Sequence, residues 1–373
     1  MKLNYFLIAL FFAVVSCDKY TTRQAPIGIH FDVEPHALDE WDTDYNGICN
    51  EWIDLLEELS GAIEDHFPIE SLRPHLTVAI PRWYDNRNFT RNDKELVLSE
   101  AVQDISNMHI AIMDYVDNTE SVVKDARTEV EYADSIGSDK SVSICVETDC
   151  DIGSQPESVT FCQEGTTAME EAFEGVWEAF ADSTGFREVC VHYYQSYTVL
   201  DPQYTTGNPR AMYVWHQEVV DEAEDGEFMT FSKDHSVTTI YIESQDLVSS
   251  DENQKKLATF LNTTKTINLQ IEMLFGHHIW ARTENHHIAV DLAKEASYFI
   301  GNLTVVCVDN CNNRGVCLRT GECECITGTG DYCTTEDDND NDNDGDDDIV
   351  SPSYLLHSLI WLLAILSIFI HLY

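Results

Sequence analysis

Two glutamates end runs of alternating hydrophobicity: Glu34 closes GIHFDVE and Glu147 closes SVSICVE. Carboxylates that converge across a cavity act as acid/base and nucleophile on a glycosidic bond, and a gap of about 5 to 5.5 Å between them marks a retaining reaction. Asp32 lies two residues before Glu34 and so shares its face of a strand, where it can tune the pKa and position of Glu34. Acids with only a structural role would instead be neutralised by Arg82 or Arg210, which fall near the same strand ends.

Aromatic residues gather beside these acids. Trp83, Tyr84, Tyr115, Tyr193, Tyr194, Trp215 and Trp280 all lie at or just beyond strand-like segments. Sugar rings offer apolar C–H faces to aromatic side chains, while their hydroxyls need convergent polar groups. The expected glycan-contacting set is therefore Trp83, Tyr115, His192, Tyr194, Tyr241, Glu243, Glu272 and Trp280. The stretch GHHIWARTENHH contains His277, His278, His286 and His287, four residues of a type that ligates zinc. Its spacing is not that of H-E-x-x-H, in which two histidines share one helix face. No G-x-S-x-G elbow signals a serine nucleophile, and neither a metal nor a cofactor is expected.

The elements that must position these groups follow from periodicity. Eight segments alternate as strands: GIHFDVE, HLTVAIP, HIAIMDY, SVSICVE, EVCVHYY, AMYVWH, TTIYIE and NLQIEML. Helical periodicity runs between them, as in EWIDLLEELSGAI and in the stretches 120–136 and 169–181. Strands alternating with helices imply parallel pairing, and eight units in about 280 residues fit a closed (β/α)8 TIM barrel, an α/β fold spanning residues 24–303. One parity of each strand faces the helices: Ile29/Phe31/Val33, Leu76/Val78/Ile80, Val142/Ile144/Val146 and Ile240/Ile242. The other faces the interior: His30/Asp32/Glu34, Ser143/Cys145/Glu147, Cys190/His192/Tyr194, Thr239/Tyr241/Glu243 and Asn268/Gln270/Glu272. Barrel enzymes keep their active sites at the carboxyl ends of the strands.

GIHFDVEP resembles the fourth-strand motif D-G-x-D-x-D-x-E of chitinase-like glycoside hydrolases of family 18. Asp32 and Glu34 match its last two acids, while Ile27 and His30 replace the first two. Met113-Asp114-Tyr115 resembles that family's sixth-strand M-x-Y. The resemblance implies Glu34 as proton donor and Asp32 as the residue orienting a substrate acetamide. A second resemblance, to retaining glycosidases of clan A, rests on the three-strand offset between Glu34 and Glu147, with Val33 where that clan has an asparagine. Both place Glu34 on a fourth strand, although its strand comes first here, which implies a circularly permuted barrel.

The remaining segments describe delivery. Residues 1–17 carry Lys2 and an apolar run ending in Ser16 and Cys17, the layout of a signal peptide. Residues 351–373 hold an apolar tail with no Lys or Arg behind it, which favours a glycolipid anchor over a single-pass helix. Either holds the body of the chain on the extracellular face of a membrane. Residues 334–350 are almost wholly acidic or amide and read as a disordered stalk. The segment CVDNCNNRGVCLRTGECECITGTGDYC, residues 307–333, resembles an epidermal growth factor-like module. That likeness implies Cys307 with Cys317, Cys311 with Cys323 and Cys325 with Cys333, in a module that is either a spacer or a protein-binding element. Cys150 and Cys162 flank a loop and form a further expected disulfide, and sequons stand at Asn88, Asn262 and Asn302. A net charge of -46 excludes nucleic acid and anionic surfaces as partners. Two function classes remain: a cell-surface glycoside hydrolase with Glu34, Asp32 and Glu147 as its catalytic acids, or a silent barrel that binds a glycan or a protein.

Overall fold

The computed structural model describes residues 25–152, 158–200, 205–216, 218–221 and 226–304, together with two short strands at 315–317 and 323–325. The expected signal peptide, stalk and anchor, and the six cysteine side chains of the small module, lie outside the described residues.

The chain runs β1 (Gly28–Phe31), α1 (Tyr45–His66), β2 (His75–Pro81), β3 (Asn88–Arg91), β4 (Lys94–Val97), α2 (Leu98–Gln103) and β5 (Met108–Met113). It continues through α3 (Thr119–Asp125), α4 (Arg127–Ile136), β6 (Val142–Glu147), α5 (Gly165–Ala179), β7 (Phe186–His192) and α6 (Tyr194–Val199). Next come β8 (Arg210–Val214), α7 (Glu218–Asp221), α8 (Glu227–Asp234), β9 (Val237–Glu243), α9 (Asp251–Thr264), β10 (Gln270–Phe275) and α10 (His286–Thr304). The last two strands, β11 (Gly315–Cys317) and β12 (Cys323–Cys325), pair antiparallel.

The eight strands read from the sequence are the eight staves of a closed parallel barrel, in ring order β1-β2-β5-β6-β7-β8-β9-β10 and back to β1. The fold is a TIM-type α/β barrel. The AMYVWH strand pairs beside EVCVHYY, and the ring closes through β10 onto β1, with His30 opposite Leu274 and Phe31 opposite Phe275. The antiparallel hairpin β3–β4 is an insertion after β2 that the periodicity did not announce.

Alternation decides what each strand buries. Outward residues such as Ile29, Phe31, Val78, Ile144 and Ile242 join the helices in the main core. The apolar stripe of α1 (Ile48, Trp52, Leu55, Leu56, Leu59 and Ile63) is fully buried against it. Inward residues form a second, smaller cluster of Ala111, Cys145, Cys190, Ala211, Tyr213, Tyr241 and Leu274. Small residues on β5 and β8 leave the room that the two tyrosine rings fill. Caps fix the helix ends: the Asn118 side chain accepts from Ser121 N–H at 3.0 Å, and Gly137, at φ 72°, ends α4 in the left-handed region that favours glycine. Among the described residues no helix is long and apolar enough to cross a membrane.

Candidate functional site

The open, carboxyl-terminal end of the barrel is built around β1. Its pairing continues one residue past the strand, as Asp32 N–H donates to the Phe275 carbonyl at 2.8 Å. Gly276 makes this approach feasible, because a Cβ there would stand 2.5 Å from the Asp32 carbonyl oxygen. The chain then turns at Glu34 into a short 3-10 helix, Pro35–Ala37, so both acids lie at the carboxyl-terminal end of β1.

Asp32 is half-buried, and its Oδ1 is buried without a hydrogen-bond partner. Burial raises its carboxyl to about 7, the neighbouring Glu34 adds to the rise, and His192 opposes it. Burial also raises Glu34, whose side chain is 36% exposed, while His192 and His278 act to lower it. His36 faces Glu34 with Nε2 3.8 Å from Oε1, its Nδ1 lies 3.1 Å from the Tyr84 hydroxyl, and burial drives the ring down to about 4. His36 therefore gives Glu34 no positive charge at neutral pH. Trp83 stands edge-on to His36 with ring centroids 5.4 Å apart, and one of its faces is covered by the Arg87 guanidinium, 5.0 Å away.

Across the mouth, Glu147 and His192 are register partners on β6 and β7. Glu147 is fully buried. Its Oε1 accepts the backbone N–H groups of Thr148 and Asp149, each at 2.8 Å, and its Oε2 lies 2.7 Å from His192 Nδ1. The Trp215 indole N–H can only donate, and it points at His192 Nε2 at 3.0 Å. The imidazole therefore holds its proton on Nδ1 and gives it to Glu147. Tyr115 closes this side, its ring 5.7 Å from His192, and burial together with Glu147 holds its hydroxyl well above the usual phenol range.

Other expected contacts lie elsewhere. Tyr194 does not continue β7; it begins α6, and its ring packs on Phe228 and Phe231 behind the barrel wall. Trp280 is buried in the outer core after β10. Tyr241 is an interior residue whose hydroxyl donates to Ser143 Oγ at 3.2 Å. Glu243 reaches the rim, half-buried, where its Oε1 accepts Gln245 N–H at 2.9 Å. Glu272 points inward as read, but it pairs with Gly28 at the opposite end of the barrel. There it binds Arg187 Nη1 at 2.6 Å and His75 Nε2 at 2.8 Å, and its Oε2 lies 3.6 Å from His30 Nδ1. Burial alone would raise this carboxyl, but Arg187 and His75 hold it well below the usual range. Glu188 completes a charged floor, taking Arg187 Nε at 3.0 Å and Thr239 Oγ1 at 2.9 Å.

Neither arginine neutralises the mouth acids: Arg82 pairs with Asp125, and Arg210, expected near the same strand ends, instead begins β8 at the opposite end of the barrel and pairs with Glu170. Cys150 and Cys162 are joined as a disulfide beside the Glu147 strand end. His277 and His278 stack on each other at the exposed rim, while His286 is buried 3.6 Å from Glu58. Among the described residues no group of three or more His, Cys, Asp or Glu side chains converges to hold a metal ion. Asn88 and Asn262 are exposed, and Asn302 is half-buried. His36 and Tyr213 were not read as site residues. The alternation that placed His30 and Asp32 inside also places Ala211, Tyr213 and Trp215 inside, so the signal was present in AMYVWH. The chain matches no known family model and no curated protein sequence.

Proposed function

We propose that this chain is a glycoside hydrolase that cleaves an extracellular glycan, with Glu34 as general acid/base and Asp32 as the second carboxyl of the reaction. The observation that carries this reading is the Asp32–Glu34 pair itself: two carboxyl groups two residues apart just past the end of β1, both raised by burial, with no arginine or lysine paired to either among the described residues. A carboxyl that keeps its proton towards neutral pH can protonate a leaving glycosidic oxygen. As the C–O bond breaks, the electron pair stays on that oxygen with the proton from Glu34 and positive charge develops at the anomeric carbon; water then adds to that carbon and gives its proton to the Glu34 carboxylate, which restores the acid. Glu147 has no oxygen turned to the mouth, so Asp32 rather than Glu147 is the second acid of the proposal.

The resemblance to family 18 supports the same assignment. Its two motifs sit on the fourth and sixth strands, one strand apart, and here β2 alone separates the strands that carry Asp32/Glu34 and Tyr115. On that reading Asp32 orients an acetamide of the substrate itself, and the barrel is a circular permutation that begins at the family's fourth strand. The barrel is held outside the cell on an epidermal growth factor-like module, an acidic stalk and a hydrophobic anchor, in keeping with the signal-like start of the chain.

Turnover on a glycan array by the full-length chain, beside Glu34→Gln, tests the proposal. Loss of a general acid costs about 10² to 10⁴-fold. Because burial raises Glu34, it holds its proton above the usual carboxylate range and releases it as pH rises, so kcat/KM should fall on the alkaline side as that proton is lost. Equal turnover by both proteins would remove Glu34 from the mechanism, and glycan binding without turnover would point to a silent, adhesive barrel.

A further inference from the structure

We infer that Trp215 is the platform on which a sugar ring rests beside Glu34, and that Glu147 and His192 are positioning residues that set the plane of its indole. The inference rests on the glycosidase reading above.

The hydrogen bonds run in one direction. Thr148 and Asp149 N–H fix Glu147 Oε1, Glu147 Oε2 takes the His192 Nδ1 proton, and His192 Nε2 receives the Trp215 indole N–H. Each step consumes the group that the next would otherwise leave free, so one tautomer and one indole orientation satisfy the whole chain. The chain begins at a fully buried carboxylate and ends on a half-buried aromatic ring at the end of β8. A network with only a structural purpose has no reason to end there.

The ring is also supported from below. Tyr213 stacks under Trp215 with centroids 5.7 Å apart and planes 19° from parallel, and the Tyr213 hydroxyl is tied to His30 Nε2 at 3.1 Å. With one face on Tyr213 and its N–H edge on His192, the half-buried indole is held in one plane, and the ligand is assigned to its opposite face. The Tyr213–His30 hydrogen bond spans the barrel interior from the Trp215 strand to the strand that leads into Asp32 and Glu34, which turns the platform towards the acids. An uncharged aromatic face selects the apolar C–H face of a pyranose. Trp83, by contrast, already has one face covered by Arg87.

Glu147→Gln separates positioning from bulk. The glutamine carbonyl can still accept the Thr148 and Asp149 N–H groups, but its NH₂ then faces His192 Nδ1. The imidazole must move its proton to Nε2, and two N–H groups confront each other at Trp215. The test uses the full-length chain carrying Glu34→Gln, with N-acetylglucosamine tetrasaccharide and cellotetraose as probes. Binding is followed by calorimetry and by the indole N–H resonance that disappears in Trp215→Phe. The expected results are a probe-dependent shift of that resonance, affinity about tenfold weaker in Trp215→Ala, and weaker binding with a displaced indole resonance in Glu147→Gln at unchanged far-UV circular dichroism. Trp215→Phe, which keeps an aromatic face, guards against misfolding of the alanine variant and should bind between the two. Affinity unchanged within twofold in both Trp215→Ala and Glu147→Gln overturns the platform and leaves the Glu34 assignment standing. Failure of the Glu34→Gln chain to bind either probe, with no turnover by the wild type, overturns both.

Discussion

Two carboxyls behind the barrel wall respond to burial as Asp32 does, but without a mouth to serve. Asp114 follows β5 on the outward parity, is fully buried, and has no hydrogen-bond partner at either oxygen. Burial and then Asp125 push it up to about 8, against the opposing pull of Arg82. Glu129, in the first turn of α4, is also fully buried and is raised to about 8 by burial and then by Asp85. In the unfolded chain such groups titrate at roughly 4. The folded state therefore holds extra protons between those values, and the stability they confer is full below about 4 and lost as pH rises through about 8. The melting temperature of the wild type should fall between pH 5 and pH 9, whereas that of Asp114→Asn/Glu129→Gln should fall less and lie higher at pH 9, its remaining decline coming from Asp32 and Glu34. A parallel decline in both proteins would mean that these carboxyls ionise freely in the fold.

At the scale of elements, a buried ion pair ties helix to strand. Arg210 at the start of β8 is fully buried with Glu170 of α5, and its Nη1 also reaches the Tyr197 hydroxyl at 3.2 Å. Thr206 donates both its N–H and its hydroxyl to Glu170 Oε2 at 3.0 Å, so the approach to the Trp215 strand hangs on the same carboxylate. Removing one partner strands a charge: Arg210→Met should cost about 3 to 5 kcal/mol in urea unfolding, and Arg210→Met/Glu170→Leu should recover most of it. How far such elements were legible depends on what alternation encodes. A period of two gives the side of the sheet on which a residue lies, and so it placed Glu147 and His192 on one face, where they hydrogen-bond. It carries no height along the barrel axis. Glu272 was therefore read as a mouth residue although it sits at the opposite end, and Tyr194 was read as strand although α6 begins there. Hydrogen-bond direction was beyond reach as well, because the role of Glu147 depends on a neighbour 45 residues away.

At the scale of the whole molecule, ring order equals chain order, and the first and last staves, β1 and β10, are neighbours. No connection crosses that seam except through the ends of the domain, so the chain can be reopened elsewhere. A permutant that begins at residue 205, runs to 304 and continues through a short Gly/Ser linker into 25–200 should show a single cooperative melt and a native circular dichroism spectrum. A molten or multiphasic transition would mean that the present starting point is needed for folding. Eight regular staves made this architecture the most legible level of the sequence, since each strand needed only its own hydrophobic rhythm. The charged floor was hidden, because His75, Arg187 and Glu272 are brought together only by closure. That floor closes the end of the barrel opposite Asp32 with charges paired with one another, and the interior beyond it is filled by Ala111, Cys145, Cys190, Tyr213 and Tyr241. A ligand at the carboxyl-terminal face therefore has no route along the barrel axis, and on the glycosidase reading proposed above substrate and both products share that one face.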